Sequence, residues 1–255
     1  MKSNATSHGN LLIDSRRIIG DDTPFAIREA YRSLFTNVMY LPIESRCRKI
    51  VLTSAYPGEG KTSVSINLAY TIAATSPEAK ILLVDADMRS PRVAQLLNID
   101  TRDVHGLSEF LAGIDDKPNV LETIYPNLSL LSSGAENANT PALLSSSKMA
   151  ALTEYCDANY DYVIFDTPPV NVVTDAVFLS DHVDGYILAT RADYSDITSL
   201  NEAVNTLTRV EAKIFGVVLC SLDTKRAKRY GGYGKYGKYG RYGRYARYNS
   251  SKYTG

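Results

Sequence analysis

The chain has 255 residues, 44% of them hydrophobic, and its 28 basic and 28 acidic side chains cancel, which suits one α/β core with extensions. Cys47, Cys156 and Cys220 are too few and too widely spaced for a disulfide framework, and neither they nor His8, His105 and His182 form a metal-ligand cluster, so reduced, buried thiols are expected. No apolar run approaches the roughly 18 residues of a membrane span, and MKSNATSHGN lacks the apolar stretch of a signal peptide; the expected location is cytoplasmic, with any membrane attachment supplied by another chain.

Residues 1–22 are polar and aperiodic and read as a flexible N-terminal arm. From Thr23-Pro24 onward, Ile27, Tyr31, Leu34 and Met39 recur at helical intervals, which predicts an amphipathic helix ending near Leu41-Pro42. Five apolar runs follow, at 49–55, 80–87, 160–169, 183–192 and 213–222. Their hydrophobicity is continuous, as in strands covered on both faces by helices. Helical patterns separate them, at about 62–75, 148–158, 174–180 and 195–210. This alternation predicts a doubly wound, mostly parallel sheet spanning residues 23–223. Beyond residue 223 the composition changes. Residues 224–255 hold ten of the 28 basic side chains and no acidic one, so a body near −10 carries a tail of +10. In that tail Tyr230, Tyr233, Tyr236, Tyr239, Tyr242, Tyr245 and Tyr248 recur every third residue, followed by Tyr253. Glycine and like charges prevent a packed core there, and a disordered tail is expected.

The first strand runs into Ala55-Tyr56-Pro57-Gly58-Glu59-Gly60-Lys61-Thr62-Ser63 and then a helix, the context a phosphate-binding loop requires. The fold is therefore expected to be of the P-loop NTPase type, with residues 58–63 holding ATP. Gly58 and Gly60 let backbone N–H groups approach phosphate, and the helix start adds its positive dipole end. Lys61 can reach the terminal phosphates and the Thr62 hydroxyl can ligate Mg²⁺. Ala55 stands where the common pattern has glycine. Asp85, Asp87 and Arg89 close the second strand, and their alternation allows all three to face the nucleotide. Asp166 closes the third strand and is expected to hold Mg²⁺ through water.

The combination resembles the bacterial tyrosine kinases linked to capsule and exopolysaccharide production. EAYRSL at 29–34, the AYPGEGKTS loop, VDADMRSP at 84–91, GLSEFLAG at 106–113, IFDTPP at 164–169 and the terminal tyrosines carry the resemblance over nearly the whole chain. It implies an ATP-dependent protein-tyrosine kinase with Lys61, Asp85, Asp87 and Arg89 in catalysis and Thr62, Asp85 and Asp166 at the metal. Asp85 or Asp87 would deprotonate the incoming phenol, and Arg89 would fix geometry or balance phosphate charge. The eight tail tyrosines would accept phosphate, in trans between subunits. Glu29 and Arg32 would contribute to a homo-oligomeric ring, although the position where relatives often have a further arginine is Phe35. A transmembrane adaptor would activate the kinase and recruit it to the inner face of the membrane, and a tyrosine phosphatase would reverse it. Two alternatives remain. A partition- or septum-site-type ATPase would share the sheet, but its additional loop lysine has no counterpart at Ala55-Tyr56-Pro57. A nucleic-acid-binding ATPase could use the Arg/Tyr tail, although nucleic acid is not expected.

Overall fold

The computed structural model describes residues 18–20, 22–137 and 139–221. The expected tail of residues 224–255, its eight acceptor tyrosines and most of the expected N-terminal arm lie outside them. The end of that arm is anchored: the Ile19 N–H donates to Asn67 Oδ1 at 2.8 Å, and Ile18 packs against the core.

Helix α1 (Phe25–Met39) begins after Pro24. It buries Phe35 and Val38, with Tyr31 and Leu34 packed beside them, a stripe at the spacing of one helical face. Ile27 and Met39, expected in that stripe, stay half exposed. Strand β1 (Arg48–Ser54) leads to α2 (Lys61–Thr75). Residues Val64–Ala73 of α2 are all buried, because α1 packs over the side that the sheet leaves open. Strand β2 (Ile81–Asp85) is followed by two short helices, α3 (Val93–Leu96) and α4 (Leu107–Leu111). Next come β3 (Leu121–Glu122), β4 (Leu128–Leu131), α5 (Thr140–Leu144) and α6 (Ser147–Asn159). Strand β5 (Tyr162–Asp166), a 3₁₀ segment (Val177–His182), β6 (Gly185–Arg191), α7 (Ile197–Thr208) and β7 (Ile214–Cys220) complete the order.

The strands form one sheet in the order β3-β4-β2-β5-β1-β6-β7, parallel except where β3 meets β4. All five predicted strands are present. Their side chains alternate between two cores: Val51, Leu82, Val84 and Phe165 face α4–α7, while Ile50, Leu52, Leu83 and Ile164 face α1 and α2. The expected helix at 174–180 is the 3₁₀ segment, a form suited to such a short run. Strand β7 departs from the expectation of two covered faces. It is the outer strand, and Val217 and Leu219 are about half exposed. All three cysteines are free thiols, with Cys47 and Cys156 in the core. Among the described residues, no helix is long and apolar enough to cross a membrane.

From β1 the chain crosses to β2 on one side, and from β5 it crosses to β6 on the other. The carboxyl ends of β1, β2 and β5 therefore meet where the winding reverses, the position at which open α/β sheets bind ligands.

Candidate active site

The turn from β1 into α2 is built for close backbone approach. Gly58 and Gly60 adopt φ of +84° and +102°, in the left-handed region that side chains with a Cβ resist. A Cβ on Gly60 would also lie 3.2 Å from Cys220 Sγ. Ala55, at the usual glycine position, is buried in the core. Side chains brace the loop from outside: Glu59 Oε2 accepts the Tyr56 N–H at 2.8 Å, and Ser195 Oγ donates to Glu59 Oε1. Tyr194 donates its hydroxyl to Pro57 O at 3.1 Å. The Glu59 carboxylate, 2% exposed, is thus a strut, which leaves only its backbone for the nucleotide contact expected of it. Lys61, Thr62 and Ser63 open α2 directly after Gly60, so the helix start with its free N–H groups follows the loop at once.

Register places Asp85 of β2 opposite Asp166 of β5. Lys61 Nζ lies 2.9 Å from Asp87 Oδ2 and 3.6 Å from Asp166 Oδ2. Burial opposes the lysine's charge, but Asp166 and Asp87 outweigh it and raise its pKa. Asp166 Oδ1 accepts from Ser65 Oγ at 2.9 Å, and the Thr62 hydroxyl, which accepts from Lys61 Nζ at 3.3 Å, lies near enough to favour this carboxyl's charge. Burial raises the pKa of Asp166, an effect that Lys61 and these hydroxyls oppose. Burial, then the Asp166 charge, likewise raises that of Asp85.

The three β2-end residues do not face one side. Strand β2 stops at Asp85 and the chain turns at Met88–Ser90, so alternation is lost. Asp85 Oδ2 accepts the N–H groups of Arg92 and Val93 at 3.1 and 3.0 Å. Asp87 keeps its place against Lys61. Arg89 turns to Asp175, donating Nε to Oδ2 at 2.8 Å and Nη2 to Oδ1 at 3.0 Å. Of the expected metal residues, Thr62 and Asp166 thus both lie beside Lys61, whereas Asp85 is turned onto backbone amides.

Mg²⁺ fits this donor set. Asp166 Oδ2 is buried without a hydrogen-bond partner, beside a threonine hydroxyl, and such hard oxygens suit the cation. Among the described residues no three Asp, Glu, His or Cys side chains form a cage. Magnesium commonly takes only one or two carboxylates, with phosphate and water completing its shell. A surface depression lined by Asp103, His105, Asp115 and Asp116 lies elsewhere and contains none of these groups.

Sequence reading missed Ser65, Asp175, Tyr194 and Ser195. Ser65 was accessible to it, standing one turn after Lys61 on the helix that begins at the phosphate loop. The others reach the site across the fold, with Asp175 86 residues from Arg89. On α1, Glu29 and Arg32 pair with each other at 2.5 Å on the outer face. Phe35 is 3% exposed and packs edge-on against Tyr162, so the position of the absent arginine faces the core.

A glycine-bearing strand–turn–helix unit at the switch point of a mostly parallel sheet, with a lysine between acidic strand ends, defines a P-loop nucleotide-binding domain. The family model described as an AAA domain matches residues 47–216. Tyrosine-protein kinase CpsD of Streptococcus pneumoniae serotype 4 is 35% identical over 204 residues, covering 80% of this chain and 87% of that one. Tyrosine-protein kinase YwqD of Bacillus subtilis is 31% identical over 218 residues, covering 85% and 90%. The solved structure of the chimerical protein CapA2B2 is similar at a TM-score of 0.73 and 31% identity, over 80% of this chain and 89% of that one.

The chain belongs to the bacterial tyrosine-protein kinase family, and its activity is that of a protein-tyrosine kinase. This membership favours the kinase over the partition-type ATPase and the nucleic-acid binder.

Proposed function

We propose that the chain uses Mg·ATP to phosphorylate the tyrosine cluster at its own C-terminus, in trans between subunits, within the control of capsular or exopolysaccharide synthesis. The observation that carries this reading is Lys61, seated between Asp87 and Asp166 at the mouth of the phosphate loop. The N–H groups of residues 58–63 and the Lys61 ammonium would hold the phosphates. Thr62 and Asp166 would hold Mg²⁺, with Asp85 as the further carboxylate, and the cation would neutralise phosphate charge. Lys61 would then exchange Asp87 for phosphate, leaving that carboxylate free to receive the phenol proton. A tyrosine hydroxyl has an ordinary pKa near 10 and needs such a base at neutral pH. Its oxygen forms the new bond to the γ-phosphorus as the bond to the β–γ bridging oxygen breaks, and ADP leaves.

The +10 tail would be drawn to the −10 body, which raises the local acceptor concentration. Each phosphotyrosine adds about −1.5 to −2, so full modification would reverse the tail's charge and loosen a ring assembled through Glu29 and Arg32. A second chain, a membrane adaptor, would act as activator; the similarity to the chimerical protein CapA2B2 supports a partner chain. A tyrosine phosphatase would reset the cycle.

The test is incubation of the full chain, with and without an adaptor segment, in Mg·ATP, followed by mass-spectrometric mapping. Phosphate should appear between Tyr230 and Tyr253 and be absent in Lys61→Met and Asp87→Asn. ATP consumption by the adaptor-supplied protein without phosphotyrosine would refute the reading.

A further inference from the structure

We infer that Asp175 is a positioning residue of phosphoryl transfer, acting through Arg89 on the turn that carries Asp87. The inference rests on the reading that Asp87 serves the tyrosine hydroxyl.

Asp175 has no exposed surface. It lies ahead of the 3₁₀ segment, beside the fully buried Ala176, and Leu179 and Val170 belong to the same core cluster. Taking a carboxylate into such surroundings is costly unless it is paired and hydrogen-bonded. The Arg89 guanidinium meets that need with two parallel N–H donors, at 2.8 and 3.0 Å. A buried pair of this kind is weak evidence for stability, since apolar residues of similar volume often serve as well. What the fork adds is orientation: two parallel bonds fix both the position and the plane of the guanidinium.

That orientation passes to a short stretch of chain with several further restraints that lead back to the site. The Ala86 N–H donates to Asp166 O at 2.8 Å, just before Asp87. The Ser90 N–H, one residue after Arg89, donates to Asp87 Oδ1 at 3.1 Å. The Arg92 and Val93 N–H groups then bind Asp85 Oδ2. The segment from Ala86 to Val93 is thus tied at its start to β5 and at its end to Asp85. Between these ties the Met88 side chain is buried in the core and its carbonyl accepts the Asn137 N–H at 3.3 Å, while Arg89 is the charged side chain that ties the turn to the loop after β5 and fixes its orientation there. Asp87 and Arg89 are two residues apart, so rotation of the turn would move the Asp87 carboxylate relative to Lys61.

A displacement of about 1 Å at a reacting group can cost on the order of 10²-fold in rate. Asp175 touches neither the phosphate loop nor Lys61 in the hydrogen bonds it makes. Its loss should therefore appear in turnover and leave nucleotide affinity nearly unchanged.

The experiment measures kcat and ATP KM for the full chain with Mg·ATP and a synthetic peptide of residues 228–255 as acceptor, alongside thermal unfolding. It compares wild type, Asp175→Asn, Arg89→Lys and the double variant Arg89→Gln/Asp175→Asn. Arg89→Lys keeps the charge at a partly exposed position and removes the fork, so it decides the matter if Asp175→Asn fails to fold. Expected are a fall in kcat of at least tenfold in Arg89→Lys and about 10²-fold in Asp175→Asn, with ATP KM within twofold of wild type. The double variant should be no worse than Asp175→Asn, since the two residues act as one unit. Folded variants with kcat within twofold of wild type would overturn the inference. So would losses of kcat that follow the fall in unfolding temperature, or that come with an equal loss of ATP affinity, because a purely structural role predicts those. If wild type itself makes no phosphotyrosine, the proposed function has failed and this inference falls with it; normal transfer by the variants defeats the inference alone.

Discussion

Lys61→Met tests the charge arrangement of the site in the absence of any ligand. Methionine preserves most of the lysine's length and volume, so the perturbation is close to removal of one charge. The ammonium lies 2.9 Å from Asp87 and 3.6 Å from Asp166. At an effective dielectric constant near 20, those separations correspond to attractions of about 6 and about 5 kcal/mol. Most of this is offset by the desolvation of the lysine, and removal of one member of a buried pair costs about 3–5 kcal/mol net. The lower half of that range is expected, since the Lys61 side chain retains 13% exposure. Urea unfolding in EDTA, without nucleotide, should show this loss, while transfer to a tail peptide should fall at least 10²-fold. The Lys61→Met/Asp87→Asn double variant should recover part of the lost stability, because one uncompensated carboxylate is gone. An unfolding midpoint equal to that of wild type would refute the reasoning, for it would mean that the lysine carries no charge compensation at all.

Phe35→Ala should cost about 3–5 kcal/mol in urea unfolding, because the ring is buried and packed on Tyr162; Phe35→Arg should be no better, since it would bring a charge to the same place. Glu59→Ala removes the acceptor shared by the Tyr56 N–H and Ser195 hydroxyl, and should cost about 1–3 kcal/mol and raise ATP KM in steady-state assays. His105 has Asp115 oxygens 3.0 Å from Nδ1, which hydrogen-bond the imidazolium and raise its pKa. Its NMR titration midpoint should exceed the ordinary value near 6.5 and return towards it in Asp115→Asn. Since the folded pKa is the higher one, the stabilisation from this pair is full below the unfolded value and fades as pH rises through the folded one.

The central elements were legible because their sequence signals are local. KIVLTS, KILLVD and YVIFD are continuous apolar runs, and each became a central strand within three residues of its predicted limits. The phosphate loop was legible because glycine is needed where φ is positive, and Gly58 and Gly60 meet that need. By contrast, β4 has four residues and β3 two, too few for a periodicity to declare itself. The stripe of α1 was misplaced at its ends because Ile27 and Met39 satisfy a helical count but extend beyond the part that meets α2 and the sheet.

The DADMR segment shows why the site was only half legible. Alternation along a strand predicts where side chains point only while the chain remains a strand, and Asp85 is the last residue of β2. Beyond it, direction is set by what is nearest across the fold: amides of 92 and 93 for Asp85, Lys61 for Asp87, and a carboxylate 86 residues away for Arg89. One motif thus separates into three tasks. Asp85 and Asp166 end neighbouring strands and are buried side by side, each raising the difficulty of charging the other, with Lys61 between Asp166 and Asp87. Three carboxyl groups around one ammonium leave this pocket with an excess of acidic groups, which disfavours a bare triphosphate. Under the proposed function a nucleotide brought in with a divalent cation would be accommodated, and the lysine it would then engage is the one that holds Asp87. The same exchange that admits the substrate would therefore release the base, provided the turn bearing Asp87 stays where Arg89 and Asp175 hold it.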